Sequence, residues 1–370
     1  MISAIALIVA ALIPLGFLLA VKSFDFYQTG SSKFIIYSGV WGIIAYLLAA
    51  QINPALVNNG IFSRDTVLRF IGPMIEETLK ALILIYLIRH PDFKYFLDGA
   101  IYGFASGIGF AIFENFEYVL GHPSTALILA ISRVLSTNLI HATGSSLIGI
   151  ALGLARFNRS GPLRTLYLIG GLGLAMVIHS GFNNMVNDGA ALLFAFAAGF
   201  AGAGIIYLVA RRGLKNEKSW VHEKIGVTEG VTSGEAAVVQ RLENVDELLA
   251  SLATRFGPEK ASQCEKFLFM QAQLAIQVKM AEKMQDEKMK LAIAAQTDEL
   301  HNKMNEARKE VGAYCMLYLR NIFPEDDPTM MTLMQNRIAA SAAANKGKAG
   351  TGVWDLKDHL NPKSAADQNN

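Results

Sequence analysis

The first 210 residues alternate between long apolar stretches and short polar connections. Seven of these stretches approach or exceed the length needed to cross a bilayer as a helix, about 20 mostly apolar residues. They are residues 2–21, 34–52, 67–88, 96–119, 125–155, 165–187 and 190–210. The first has no basic residues before it and no small-residue cleavage site, so we expect a retained anchor rather than a signal peptide. The pattern predicts an all-α, polytopic membrane domain with about seven transmembrane helices.

The basic residues of the connecting loops follow the same alternation. Lys22 and Lys33 follow the first predicted helix, and the loops after the third, fifth and seventh also carry basic side chains. The opposite loops contain only Arg64, with Arg69 near a helix start. By the positive-inside rule we expect the N-terminus outside and the C-terminal tail in the cytoplasm. The expected location is a bacterial cytoplasmic membrane.

Composition changes after residue 210. The chain is 17% charged, but residues 1–210 hold only 20 of its 64 Lys, Arg, Asp and Glu side chains. This contrast predicts a membrane domain at 1–212, a linker at 213–234, a helical cytoplasmic domain at 235–338 and a disordered tail at 339–370. The net charge of +2 argues against a nucleic-acid-binding surface. Both cysteines, Cys264 and Cys315, lie in the tail, where we expect reduced thiols.

The tail is predicted to be helical from Gly234 to about Phe256 and from Pro258 to about Phe323. A mostly apolar stripe recurs at helical spacing along the second segment. Its members are Leu300, Met304, Ala307, Val311, Cys315 and Tyr318. Such a stripe is typical of an ordinary amphipathic bundle helix, and it could also face a partner helix in self-association or in recruiting a cytoplasmic partner.

Several ionisable side chains interrupt the predicted membrane helices, where each costs about 2.5–3.5 kcal/mol on insertion scales. At that cost they should face one another or a water-filled cavity, so we expect one polar site. Glu76 and Lys80 share a helix face and could pair. The site candidates are Glu76, Glu77 and Lys80 in the third helix, Glu114 in the fourth, Arg133 and His141 in the fifth, and His179 and Asn183 in the sixth.

A stripe of small residues predicts where the fourth helix packs closely against a neighbour. Gly99, Gly103, Gly107 and Ala111 recur every four residues, and Glu114 continues the same face. Arg133 is expected to be a counter-ion to Glu114 or Glu117. Glu117 itself is expected to be solvated near the outer interface.

Carboxylates beside histidines suit hydrolysis of an amide without a covalent intermediate. A carboxylate can act as general base on water, and a histidine or an asparagine can stabilise the oxyanion. Two glutamates and two histidines could also hold zinc, but there is no HExxH motif to strengthen that version. We therefore expect no metal or other cofactor. Neither a GxSxG frame nor a GxGD motif occurs.

Four motifs, in order, resemble those of the PrsW family. They are EETLK at 76–80, LDGAIYGFASGIGFAIFEN at 97–115, His-Ala at 141–142 and HSGFN at 179–183. The family pattern EExxK, FxxxE and HxxxD is matched by Glu76, Glu77 and Lys80, by Phe110 with Glu114, and by His179. Asn183 replaces the acidic residue of the third motif. The resemblance covers roughly residues 65–190 and implies a glutamic-type intramembrane protease, related to CAAX prenyl endopeptidases, that cleaves single-span membrane proteins such as anti-sigma factors.

The leading hypothesis is therefore an intramembrane endopeptidase. Glu76 and Glu77 would activate water, Lys80 would tune or pair them, and Glu114 would complete the cluster. His179, with Asn183 and His141, would stabilise the oxyanion. Two alternatives stay open: a CAAX-type endopeptidase acting on prenylated peptides, and a non-enzymatic scaffold or transporter that uses the same polar cluster.

Overall fold

The computed structural model describes residues 2–187, 192–228, 230–242 and 245–320, and this part of the chain is helical throughout, without strands. The predicted disordered tail at 339–370 lies outside the described residues. The first helices are α1 (Ile2–Lys22), α2 (Ser32–Asn58), α3 (Arg64–Thr66), α4 (Gly72–Leu87), α5 (Phe96–Gly121), α6 (Ala126–Leu135), α7 (Thr137–Arg156), α8 (Gly161–Asn187) and α9 (Leu192–Lys224). A π-helical turn, Val67–Ile71, separates α3 from α4. The later helices are α10 (Ser233–Gln240), α11 (Val245–Phe256), α12 (Pro258–Lys283), α13 (Glu287–Val311) and α14 (Ala313–Arg320).

Five stretches of the described residues are long and apolar enough to cross a membrane. They are Ile2–Lys22, Ser32–Asn58, Phe96–Gly121, Ala126–Arg156 and Gly161–Val186. The predicted all-α polytopic fold is thereby confirmed, and the chain is an integral membrane protein. The predicted third span is divided, since the regular helix α4 has 16 residues after the π turn. Residues 190 and 191 of the predicted seventh span lie outside the described residues, and both the count of seven and the orientation stay predictions.

Helix α5 forms the centre of the membrane domain and packs tightly on α7. A Cβ added at Gly99 would overlap the backbone of Gly149, and one added at Gly103 would overlap that of Ser145. Only residues without a Cβ allow two backbones to approach this closely. The predicted close packing along the small-residue stripe is therefore confirmed.

The predicted continuous helix over 125–155 is wrong in one respect, because it breaks at Ser136. This residue has φ −128° and ψ −82°, outside the helical region, so α6 ends before it and α7 begins after it. Ala126 and Ala130 of α6 pack with Ala6 and Ala10 of α1, whereas α7 packs on α5. The break therefore allows one apolar segment to cover two different surfaces.

In the tail, the predicted long helix from Pro258 to Phe323 is also wrong. It ends at Lys283, restarts after the N-cap Asp286, and is interrupted again at Gly312, whose φ of +89° favours glycine. The apolar stripe packs inside this chain, because its members Met304, Val311 and Cys315 are buried in the core of the tail. The predicted linker 213–234 contains the end of α9, at Lys224. The domain boundaries stay predictions.

The tail packs against two loops of the membrane domain. Gln273 of α12 donates from Nε2 to the backbone oxygen of Tyr27 at 2.8 Å, and Tyr27 is buried in the tail core. Gln296 of α13 donates to Asp92 at 2.6 Å. The tail thus lies at the end of the helical bundle whose loops carry the basic residues.

One carboxyl group is buried where α9 meets the first of these loops. Glu217 accepts a long hydrogen bond, 3.5 Å, from the hydroxyl of Thr29, and its Oε2 has no partner among the described residues. Burial, reinforced by the nearby carboxylates of Asp25 and Asp98, raises the pKa of Glu217 well above its ordinary value. Glu217 lies beyond the predicted span 190–210, so its contact with Thr29 is at the junction between the membrane domain and the tail.

Candidate active site

Helix α4 carries the acidic motif, and its second glutamate is fully buried with the lysine. Lys80 Nζ lies 2.6 Å from Glu77 Oε1, and neither side chain is accessible to solvent. Both Glu76 and Glu77 are within reach of Lys80 along the helix, and the structure pairs the lysine with Glu77, three residues before it, rather than with Glu76. The remaining polar atoms of a buried ion pair also need partners. Lys80 has a further contact, whereas Glu77 Oε2 has no hydrogen-bond partner among the described residues.

His141 of α7 connects Lys80 to Glu114 of α5. Its Nδ1 lies 2.9 Å from Lys80 Nζ, and its Nε2 lies 2.8 Å from Glu114 Oε2. An ammonium group can only donate, so Nδ1 accepts and the proton of a neutral imidazole is on Nε2. His141 is therefore held in a single tautomer, with both ring nitrogens engaged.

Arg133 closes this side of the cluster. It forms an ion pair with Glu114 at 2.7 Å, one of the two partners expected for it. Its Nε donates to Asn115 at 2.8 Å, and Asn115 in turn donates to Asn138 at 2.6 Å. Neither asparagine was predicted from the sequence, although Asn115 directly follows Glu114 and an amide beside a carboxylate could have indicated it.

His179 of α8 faces both glutamates of the acidic motif. Its Nδ1 lies 2.9 Å from Glu77 Oε1, while its Nε2 is 3.7 Å from Glu76 Oε2. Its ring meets that of His141 edge-on, with centroids 4.7 Å apart. The structure thus brings Glu76, Glu77, Glu114, His141 and His179 together in one polar cluster.

The carboxylates of this cluster differ in accessibility. The side chains of Glu76 and Glu114 are 15% and 19% exposed, whereas Glu77 is completely buried. Glu76 Oε1 accepts a hydrogen bond from Asn53 Nδ2 of α2 at 3.1 Å. Asn53 was not predicted from the sequence, because it lies just beyond the predicted span 34–52 and resembles an ordinary interfacial residue.

Two other predicted residues lie at the border of the cluster. Asn183 donates from Nδ2 to the backbone oxygen of Leu68 at 2.9 Å, so its amide binds the π turn rather than Glu76. Phe110 lies under the cluster, with its ring centroid 4.7 Å from Lys80 Nζ and 4.9 Å from the ring of His141. Phe110 therefore shields the Lys80–His141 contact. Glu117 is exposed and accepts a hydrogen bond from Tyr46.

The cluster has more negative than positive charges, and a bound cation could neutralise the excess. Three carboxylates, Glu76, Glu77 and Glu114, face two permanent cations, so one more positive charge would neutralise the network. Ligand atoms of Glu76, His141 and His179 lie within 4.8 Å of one another. One carboxylate and two imidazoles form a donor set that zinc accepts, and Glu77 holds Nδ1 of His179 as outer carboxylates do at metal sites. These residues fit a metal ion, provided that Nε2 of His141 leaves Glu114.

Comparisons with known proteins identify related sequences. The family described as PrsW family intramembrane metalloprotease matches residues 31–221, more than half of the chain. The Protease PrsW of Clostridioides difficile (strain 630) is 28% identical over 153 residues, which are 41% of this chain and 64% of that protein. The chain thus spans less than two thirds of that relative.

Two further relatives carry the same name. The Protease PrsW of Bacillus subtilis (strain 168) is 38% identical over 85 residues, 23% of this chain and 38% of that protein. The one from Shouchella clausii (strain KSM-K16) is 24% identical over 187 residues, 50% of this chain and 85% of that protein. No solved structure matches the chain.

Proposed function

This chain belongs to the PrsW family, and we propose on that premise that it is an intramembrane endopeptidase. Its substrates would be membrane-anchored proteins with a single span, cleaved in regulated proteolysis as anti-sigma factors are. The observation that carries the proposal is the position of Glu76, a partly accessible carboxylate that faces the imidazole of His179 across 3.7 Å. A gap of this length between two polar atoms suits a bridging water.

In this mechanism Glu76 acts as general base. It accepts a proton from the water as the oxygen attacks the scissile carbonyl, and it returns that proton to the leaving amine. His179 lies beside the same water; as an imidazolium it would keep its Nδ1–H bond to Glu77 and donate from Nε2 to the developing oxyanion. Both side chains are held in place by hydrogen bonds on their far sides, from Asn53 to Glu76 and from His179 to Glu77.

The other predicted residues hold this pair in position. Glu77 is buried and already bonded to Lys80 and His179, so we assign it to orienting His179 rather than to activating water. Lys80 neutralises Glu77 and fixes the tautomer of His141. Glu114, fixed by Arg133 and His141, is the second partly accessible carboxylate of the site.

The same residues would hold a metal ion if the enzyme uses one. Glu76, His141 and His179 would be the ligands, and a zinc ion there would act as a Lewis acid on the scissile carbonyl. Elemental analysis of purified protein separates the two forms of the mechanism. Stoichiometric zinc, lost together with activity on chelation and restored with it, would support the metal form. Full activity in metal-free protein would support the glutamate alone.

The proposal is tested by reconstituting the protein in liposomes with single-span reporter substrates. We expect Glu76→Gln and His179→Ala to reduce cleavage by at least about 10³-fold, in line with the loss of a general base or an oxyanion donor. Glu117→Gln is the matched control, because Glu117 is an exposed carboxylate on α5 outside the cluster. Undiminished cleavage by both site variants would refute the assignment.

Two further outcomes separate the alternatives. Cleavage of prenylated C-terminal peptides, without cleavage of single-span proteins, would indicate the CAAX-type activity. Loss of complex assembly in Glu76→Gln, with no proteolysis by the wild type, would indicate a scaffold or transporter. Quantitative proteomics of cells that carry Glu76→Gln would identify the substrate as the membrane protein that accumulates uncleaved.

A further inference from the structure

Asn53 is a polar side chain of α2 and lies outside the four motifs described above. Its Nδ2 donates to Glu76 Oε1 at 3.1 Å, and this bond joins α2 to α4 at the carboxylate that we assign as general base. Glu76 has no other hydrogen bond on that oxygen among the described residues. The amide of Asn53 therefore determines which way the accessible carboxylate points.

The local backbone is shaped to admit this contact. Gly72 begins α4 directly after the π turn, and an added Cβ there would lie 3.3 Å from Asn53 Nδ2 and 2.8 Å from the backbone oxygen of Val67. A larger residue at position 72 would thus press on both the amide and the π turn. π-helical turns occur frequently at functional sites, and this one brings α4 against Asn53.

The other atom of the amide has no such partner. Asn53 Oδ1 is buried and accepts no hydrogen bond from the described residues. A buried polar atom without a partner is unfavourable, so each native example needs an explanation. Turning the amide over would not help, because Oδ1 would then face the carboxylate of Glu76. The unpaired oxygen is the cost of directing Nδ2 at Glu76.

We propose that Asn53 is a positioning residue for the hydrolytic reaction. By binding Oε1 of Glu76, it directs Oε2 toward Nε2 of His179, where the attacking water would lie. This inference rests on the proposed function, but the contact between the two side chains can be measured without any substrate.

The first measurement is steady-state kinetics of the full-length protein in liposomes with a single-span reporter. We expect Asn53→Ala to lower kcat about tenfold, the usual effect of losing a hydrogen bond to a charged group, and to leave KM within about twofold. Asn53→Asp should lose more activity, because it keeps the volume of the side chain but removes the donor and places a second carboxylate against Glu76.

The matched control is Asn58→Asp. Asn58 is exposed at the end of the same helix and makes no contact with the cluster. We expect its kcat to match that of the wild type. A lower kcat in Asn53→Asp, which keeps the volume of the side chain, shows that a donor is needed rather than a side chain of the right volume.

The second measurement is a double-mutant cycle on thermal unfolding in detergent. Asn53→Asp should lower Tm in the wild type but by less than half as much in Glu76→Gln, because the glutamine amide can donate to the new carboxylate. Coupling between adjacent side chains is what such a cycle reports. It needs no catalytic activity.

The outcomes are distinguishable. Coupling together with a lower kcat and a KM within about twofold of the wild-type value supports the positioning role. Coupling with an unchanged kcat would show that Asn53 only joins α2 to α4. Absence of coupling would show that Asn53 and Glu76 do not interact. Either result overturns the inference. A wild type that cleaves no reporter refutes the proposed function, while the cycle still decides whether Asn53 holds Glu76.

Discussion

A close backbone approach beside the active site predicts the effect of adding one methyl group. A Cβ at Gly107 would lie 2.5 Å from the backbone oxygen of His141 and 2.6 Å from the Cα of Ala142. Ordinary contact begins at 3.4 Å. Neither obstacle is a flexible side chain, and protein interiors have little room to yield, so in Gly107→Ala helix α7 must move away from α5 by about 0.9 Å.

This movement occurs at the residue that connects Lys80 to Glu114. The hydrogen bond from His141 Nε2 to Glu114 is 2.8 Å long, and a shift of this size would lengthen it to about 3.7 Å, beyond hydrogen-bond distance. Overpacking costs about 2 kcal/mol, and the lost bond to a charged group costs about 2 kcal/mol more. We therefore expect Gly107→Ala to lose about 4 kcal/mol of stability and most of its activity.

Thermal unfolding in detergent and reporter cleavage in liposomes measure the two effects. We expect Tm to fall by roughly 8 °C, taking about 2 °C per kcal/mol for a chain of this size. Gly173→Ala is the control, because Gly173 is also within a helix, α8, and its added Cβ would meet nothing within 4 Å. A Gly107→Ala protein with the Tm and cleavage rate of Gly173→Ala would refute the reasoning, since it would show that α5 and α7 separate at no cost.

Three further predictions concern buried charges. Lys80→Met should destabilise the protein by about 3–5 kcal/mol, because Glu77 is left buried without a counter-ion; chemical denaturation should show a smaller loss in a Glu77→Gln background. Burial raises the pKa of Glu217, so its contribution to stability is full at low pH and is lost as pH rises above the ordinary value of about 4.3. Glu217→Gln should therefore match the wild-type Tm near pH 4 and exceed it at pH 8; an unchanged pH slope would contradict this. Glu235→Gln should lower the unfolding free energy of the tail by about 2 kcal/mol, because buried Glu235 receives charged hydrogen bonds from Arg308 and Arg320; equal denaturation midpoints would exclude it.

The arrangement of the membrane core could be predicted from periodicity. Gly99, Gly103 and Gly107 recur every four residues, and a stripe of that kind determines where two backbones meet. Because Glu114 lies on the same face, its encounter with a residue of the neighbouring helix also followed from spacing. The sequence therefore predicted which side chains converge.

The individual partners could not be predicted in the same way. Lys80 lies within reach of both Glu76 and Glu77 along one helix, and the choice depends on His179 and His141, which come from other helices. The break at Ser136 depends on the two surfaces that α6 and α7 cover. Asn53 was missed because its role arises only where α2 meets α4.

The π turn at Val67–Ile71 has a consequence for how this protein could change over evolution. A π turn holds one residue more than an α-helical turn, so it rotates everything after it by about 100° relative to a regular helix. Deleting a single residue there would turn Glu76 away from His179 without altering any residue of the acidic motif. Selection would therefore act on the length of this segment more strongly than on the identity of its residues. An insertion or deletion would be more damaging here than most substitutions.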